Sequence, residues 1–281
     1  LMFFGLIMVY SASIALPDAP KYHNYSRYSF LIKHGLSIGI GFFVAFLGLK
    51  TPTETWQKLA PVGLVLAIVL LVIVLIPHVG LRVNGARRWL PLGIMNFQPS
   101  ELMKLAACFY AADFCVRKNA DIRDVTKGIL PMVVVLGMVS LLLLLEPDMG
   151  ALMVVAMVTL GVLFLGGVNY KVFAALFATM VAAFATLVIF TPWRAKRIFA
   201  YLNPWDEENA LGGAYQLTQS LIAFGRGELW GQGLGASVQK MFYLPEAHTD
   251  FIMAVIGEEF GLLGVWSVIA AFTLLVYKMF M

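Results

Sequence analysis

The sequence predicts an all-α, polytopic helical membrane protein, and three observations predict it. Of 281 residues, 60% are hydrophobic and 13% charged, with mean hydropathy +0.84. Soluble domains carry about 45–50% apolar and roughly 25% charged residues, and a soluble fold of this length could not hide the excess from water. Apolar runs of spanning length recur along the chain. The soluble-enzyme fingerprints GxxxxGK[ST], HExxH, the EF-hand loop and CxxC are missing. Composition also excludes a secreted disulfide scaffold, a disordered chain and a nucleic-acid binder.

A span needs about 20 apolar residues, because hydrocarbon offers backbone groups no partner and only a helix pairs them all within one segment. About eight runs qualify: residues 1–16, 30–49, 59–77, 98–116, 128–146, 148–167, 170–191 and 250–277. The first is apolar from its outset, so the sequence begins inside a spanning helix and shows no signal peptide. Pro61, Pro99 and Pro131 fall in the first turns of the third, fourth and fifth runs, where a missing N–H costs nothing. Cys108 and Cys115 share a face of the fourth but lie too far apart axially to bond, and read as buried thiols. Pro147 ends the fifth run, and Asp148 is placed to cap the sixth.

Between the seventh and eighth runs lies a polar stretch, 192–249, far longer than the other connections. Trp193, Trp205, Tyr215, Trp230 and Tyr243 give it aromatic anchors, so it reads as ordered. Leu217, Leu221 and Ile222 give it an amphipathic helix suited to a membrane surface. Gly231, Gly233 and Gly235 form a GxGxG outside any βαβ unit, which reads as a tight extracytoplasmic turn. The loops 50–58, 117–127 and 168–171 carry seven Lys/Arg, against five in 17–29 and 78–97. The positive-inside rule therefore puts 117–127 in the cytoplasm and the long loop outside. Outside cations Arg194, Lys196, Arg197, Arg226 and Lys240 then suit an anionic ligand or lipid headgroups.

Ionisable groups at span ends need explanation. Glu101 and Lys104 sit three apart on one helical face, as an internal ion pair or as part of a polar cavity holding an anion. Capping accounts for Asp148, whereas Glu146 has no such account. In Asn84–Trp89, the adjacent Arg87 and Arg88 suit headgroups or a bidentate phosphate contact. Glu246, His248 and Asp250 alternate just before the eighth run. They read as a helix cap by Thr249 or Asp250, or as groups for proton transfer near neutral pH. Glu258 and Glu259, deeper in that run, require at least one buried partner.

Several long segments carry a family resemblance. They are Asn203-Pro204-Trp205, Tyr215–Ser220, Phe224–Gly235, Tyr243–Phe251 and Gly257-Glu258-Glu259, with Arg88-Trp89, Gln98–Glu101 and Pro147-Asp148 upstream. Together they resemble the SEDS membrane glycosyltransferases, and come closest to the cell-division branch of Gram-negative bacteria. The resemblance covers essentially the whole chain, as a single transmembrane catalytic domain over 1–281. It implies ten helices, an outward cavity, and polymerisation of lipid II into glycan strands for septal wall synthesis. The chain would then be two helices short and truncated at both ends.

The resemblance places the catalytic aspartate at Asp250. That residue would act as general base on the acceptor hydroxyl, with inverting displacement of undecaprenyl pyrophosphate. It implies substrate contacts at Arg88, Glu101 and Lys104. The cations Arg194, Arg197 and Lys240 are placed to offset the leaving group's charge. Gln219, Ser220, Glu246 and His248 complete the expected lipid II contacts. A divalent cation, Mg or Mn, could share the charge, although no ligand spacing establishes one. Expected partners are lipid II, the nascent strand, a class B penicillin-binding protein and other divisome membrane proteins. The expected location is the bacterial inner membrane at the septum, with the catalytic face outward. A lipid II flippase and a non-catalytic divisome scaffold are the alternatives.

Overall fold

A computed structural model of the chain describes residues 1–83, 85–91 and 96–281. Each of the eight expected runs forms a helix: α1 (Met2–Ser13), α2 (Ser29–Lys50), α3 (Thr53–Leu75), α4 (Pro99–Arg117), α5 (Leu130–Leu145), α6 (Met149–Leu165), α7 (Tyr170–Ile189) and, after the long loop, α11 (Ile252–Phe280). The loop itself contributes α8 (Pro192–Leu202), α9 (Glu207–Ala210) and α10 (Tyr215–Gly227).

Among the described residues, five segments suffice by length and apolarity to cross a membrane: α2, α3, Val125–Leu145, α7 and α11. The apolar stretches around α1 and α6 are shorter, and α4 carries Glu101, Lys104, Asp113 and Arg117. Pro99 and Pro131 open α4 and α5 as expected. Pro61 does not open α3, because the polar stretch from Thr53 to Lys58 is helical and Pro61 lies inside the helix.

The chain divides into two compact units, Leu49–Leu187 and Leu1–Gly48 with Val188–Met281. In the first, Leu64, Ala67 and Leu71 of α3 meet Met103, Ala106 and Ala107 of α4. Val139 and Leu143 of α5 and Ala151 and Val155 of α6 complete that cluster. The alanines let helix backbones approach closely, which favours packing where lipid supplies no hydrophobic drive. A second cluster joins Phe114 and Cys115 of α4 to Met132, Leu160 and Leu163, with Phe173 and Leu176 of α7 packed against it. Cys115 is buried and Cys108 half-buried, both as free thiols.

The connection from α3 to α4, which reads from sequence as a loop, holds a small antiparallel sheet. Its strands β1 (Leu81–Val83), β2 (Ala86–Pro91) and β3 (Asn96–Phe97) lie in the order β1-β2-β3. Arg82 pairs with Arg87, and Leu90 with Phe97. Of the Asn84–Trp89 segment, Asn84 lies outside the described residues.

In the second unit, Met8 and Ala12 of α1 pack with Ala223 of α10, Leu244, Ala247 and the head of α11. Neither α2 nor α7 has a buried residue, and Ile32, Leu36, Ile40, Phe43 and Phe46 stand exposed along α2. A helix apolar on all sides and largely exposed belongs in lipid.

Candidate active site

Asp250 sits at the head of α11. Helix capping is the plain alternative for an acid there, and it does not apply, since α11 starts after Phe251 with no side-chain cap. The Thr249 hydroxyl is engaged elsewhere, donating to the Glu246 carbonyl and to Glu246 Oε2, each at 3.2 Å. The Thr249 and Phe251 amides also bond the Glu246 carbonyl. This tight turn leaves Asp250 exposed, and its carboxylate makes no hydrogen bond or ion pair among the described residues. The His248 ring meets Phe30 edge-on at 5.1 Å, which ties the turn to the start of α2.

Behind this turn α11 is broken at Gly261 (φ 65°, ψ −163°). The sequence reads as one uninterrupted helix here, and the glycines decide otherwise. The Glu258 and Glu259 carbonyls accept from the Gln232 and Gly233 amides, both at 2.9 Å, in place of their helical partners. Those partners, the Leu262 and Leu263 amides, donate to the Glu228 and Leu229 carbonyls at 2.9 and 3.3 Å. The loop after α10 thus takes up these two carbonyls and two amides, as a buried backbone requires. Gly231, Gly233 and Gly235 hold φ of 81°, 103° and 82°, a region open chiefly to glycine. The expected tight turn exists, and it lies against α11. A Cβ on Gly227 or Gly231 would collide with the Gly257 or Glu259 carbonyl.

Both acids of the pair behind the break are buried and satisfied. Glu258 accepts from Ser237 Oγ at 2.6 Å and from the Val238 and Gln239 amides at 3.1 and 3.2 Å. Arg226 Nε stands 3.2 Å from Glu258 Oε1. Glu259 pairs with Lys240 Nζ at 2.6 Å and accepts from Ser11 Oγ at 2.7 Å. Lys240 is therefore not a free cation at an outer mouth, because it is 4% exposed and neutralised by Glu259. The sequence reading missed Ser11; a hydroxyl within an apolar run, with an intramembrane acid elsewhere, was the available signal.

The other loop candidates are more open. Arg197 is exposed, and Arg194 lies over the Trp193 ring at 4.9 Å and donates to Thr191 Oγ1 at 3.3 Å. Lys196 pairs with Glu208 at 2.7 Å. Gln219 is half-buried on α10. Ser220, expected to meet substrate, is instead buried. Its hydroxyl donates to the Leu217 carbonyl at 2.7 Å, one turn back in its own helix. The Thr218 hydroxyl reaches the Pro204 carbonyl at 3.0 Å, which anchors the Asn203-Pro204-Trp205 turn to α10.

Within Leu49–Leu187, Lys104 and Glu101 form the expected ion pair at 2.7 Å, with Lys104 the less exposed partner. Asp148 caps α6 by accepting from the Ala151 amide at 3.2 Å. Its other oxygen accepts from Gln98 Nε2 at 3.1 Å and Ser100 Oγ at 3.2 Å. Arg88 donates from Nε to the Glu146 carbonyl at 3.2 Å and from an Nη to the Pro147 carbonyl. That guanidinium therefore caps the end of α5, and two of the donors expected to grip phosphate are in use. The Glu146 carboxylate is fully buried without a hydrogen-bond partner. Burial pushes its pKa to about 8; the nearby Asp148 charge raises it further and Arg88 opposes.

Asp250, Glu246, His248 and Lys240 thus share one segment of one unit, while Arg88, Glu101, Lys104 and Glu146 belong to the other. Among the described residues no three His, Cys, Asp or Glu side chains cluster as metal ligands.

The family of cell cycle proteins comprising FtsW, RodA and SpoVE matches residues 1–281. The chain belongs to this family. That bears out the resemblance read from the motifs, and with its apolar helices makes the chain an integral membrane protein. It is similar to the probable peptidoglycan glycosyltransferase FtsW of Burkholderia thailandensis, 59% identical over 276 residues, covering 98% of this chain and 60% of that protein. The protein of that name from Polynucleobacter necessarius is 52% identical over 281 residues, covering all of this chain and 66% of that one. The chain thus spans about 60–66% of the length of these relatives.

Among solved structures, a chain described under the coordination of polymerization and crosslinking by a peptidoglycan synthase complex aligns with TM-score 0.69 and 26% identity. It covers 99% of this chain and 76% of that one. The rod shape determining protein RodA of Thermus thermophilus aligns with TM-score 0.58 and 24% identity, over 99% of this chain and 73% of RodA. That likeness shows the shared fold.

Proposed function

We propose that this chain is the catalytic part of a peptidoglycan glycosyltransferase that polymerises lipid II for septal wall synthesis, with Asp250 as general base. The observation that carries the reading is the Asp250 carboxylate: exposed, uncapped and unpaired among the described residues, at the head of a membrane helix in a chain of this family. In the reaction the acceptor sugar hydroxyl attacks the donor's anomeric carbon while Asp250 takes its proton. The bond from that carbon to the lipid pyrophosphate breaks with inversion, and one base suffices because no covalent sugar–enzyme intermediate forms.

The departing pyrophosphate needs positive charge near it. Arg197 and Arg194, on the long loop, are the candidates in the unit that carries Asp250. No step is routed through a metal ion. The names of the relatives support peptidoglycan glycosyl transfer, the cell cycle family supports the division role, and we place the protein in the bacterial inner membrane with the site outward. The synthase-complex neighbour supports a class B penicillin-binding protein as partner.

Lipid II polymerisation by purified protein tests the reading. Asp250→Asn and Asp250→Ala are each expected to abolish polymer while lipid II binding persists, and normal polymerisation by both would remove the base assignment. A flippase has no use for this carboxylate, so lipid transport by wild type without any polymer would favour that alternative.

A further inference from the structure

The segment bearing Asp250 has little packing of its own. Between Met241 and Thr249 only Leu244 and Ala247 are buried, and among the described residues it makes local backbone bonds, such as the Leu244 amide to the Gln239 carbonyl at 2.8 Å. Leu244 and Ala247 pack with Met8 and Ala12 of α1, the His248 ring meets Phe30, and the segment is also held at its two ends. One end is covalently continuous with α11. The other is Lys240, whose Nζ lies 2.6 Å from Glu259 Oε1 and 2.9 Å from Ser11 Oγ. The Ser11 hydroxyl donates in turn to Glu259 Oε1 at 2.7 Å, so ammonium, hydroxyl and carboxylate form one directed chain from the loop through α1 to α11. Lys240 and Glu259 are nineteen residues apart, with Asp250 near the midpoint.

A buried ion pair is a poor means of adding stability, because an apolar pair of similar volume does as well or better. It is a good means of fixing register, since any slip strands a charge in an apolar interior. Glu258 adds to this by accepting from the amides of Val238 and Gln239, the two residues before Lys240. We propose that the Lys240–Glu259 pair, bridged by Ser11, is a positioning clasp that holds the 241–251 segment, and with it Asp250, in place for the reaction. The proposal rests on the reading of Asp250 as the base. Lys240, Glu259 and Ser11 act through that segment without touching the reacting atoms.

The test is Lys240→Met/Glu259→Met, which removes both charges at similar volume and so avoids the misfolding expected when one buried charge is left alone. Polymerisation kinetics with lipid II should show kcat lower by about tenfold or more, KM within about threefold, and an unchanged or higher melting temperature. Hydrogen exchange of the 241–251 amides should speed up in the double variant. Ser11→Ala should give a smaller loss of kcat in the same direction. Wild-type kcat in the double variant, or wild-type protection of 241–251, would overturn the clasp. Asp250→Asn with the clasp intact should keep wild-type protection yet make no polymer. Should it polymerise normally, the base assignment falls, and exchange in the double variant judges the clasp separately.

Discussion

Asp250 and Glu146 are carboxylates beside the ends of membrane helices, and their surroundings give them opposite characters. Asp250 is open and unengaged, as proton transfer requires. Glu146 is sealed without a partner, so its neutral form is favoured and its pKa rises from 4.5 to about 8. A folded-state pKa above the unfolded value means the folded protein holds the proton more tightly. Stability from that site is complete below pH 4.5, declines as pH rises through the interval, and is gone above about 8. Glu146→Gln keeps the neutral shape without the ionisation. Its melting temperature should match wild type near pH 4 and exceed it increasingly towards pH 8, with a full difference of up to ~5 kcal/mol. Thermal unfolding across that range checks this, and parallel curves would refute it. The sequence displayed the odd acid before Pro147-Asp148. Its burial comes from helix packing that no local pattern displays.

At the scale of elements, the break in α11 and the glycine-rich run after α10 explain each other. Each supplies the backbone partners the other lacks; Gly231 leaves no room for a side chain, and Gly233 and Gly235 serve their positive φ. Gly231→Ala adds a left-handed strain and a collision with the Glu259 carbonyl. It should cost about 1–3 kcal/mol and reduce polymerisation together with melting temperature. Gly225, in the last turn of α10 with open space at its Cβ position, is the control. Gly225→Ala should be neutral or stabilising by about 0.5–1 kcal/mol. Periodicity located both helices and the turn, but it could not show that the turn enters the helix. Hydrophobicity runs through residue 261 unchanged, whereas the pairing joins residues about 30 positions apart.

For the molecule as a whole, the expectation that matters most is sidedness, because lipid II polymerisation outside the cell needs the long loop there. Two single cysteines test it in a background with Cys108 and Cys115 replaced by alanine. Asp206→Cys, on the exposed long loop, should react with an impermeant maleimide on intact cells. Asn119→Cys, on the exposed 117–127 connection, should react only after the membrane is opened. The reverse pattern would invert the topology and with it the proposed site. The eight helical runs, the membrane class and the family were all legible in the sequence. Spanning apolar runs and contiguous motifs are properties of neighbouring residues, and neighbours are what a sequence records. Which charged groups are free was decided only in three dimensions. Lys240 and Arg88 read as open cations until the fold engaged them, the first with Glu259 and the second with backbone carbonyls 58 and 59 residues away. Ser11 meets Glu259 across 248 positions. The cost of leaving a buried charge or backbone group unpaired selects such partners, and it acts on whatever the folded chain brings near, at any separation along it.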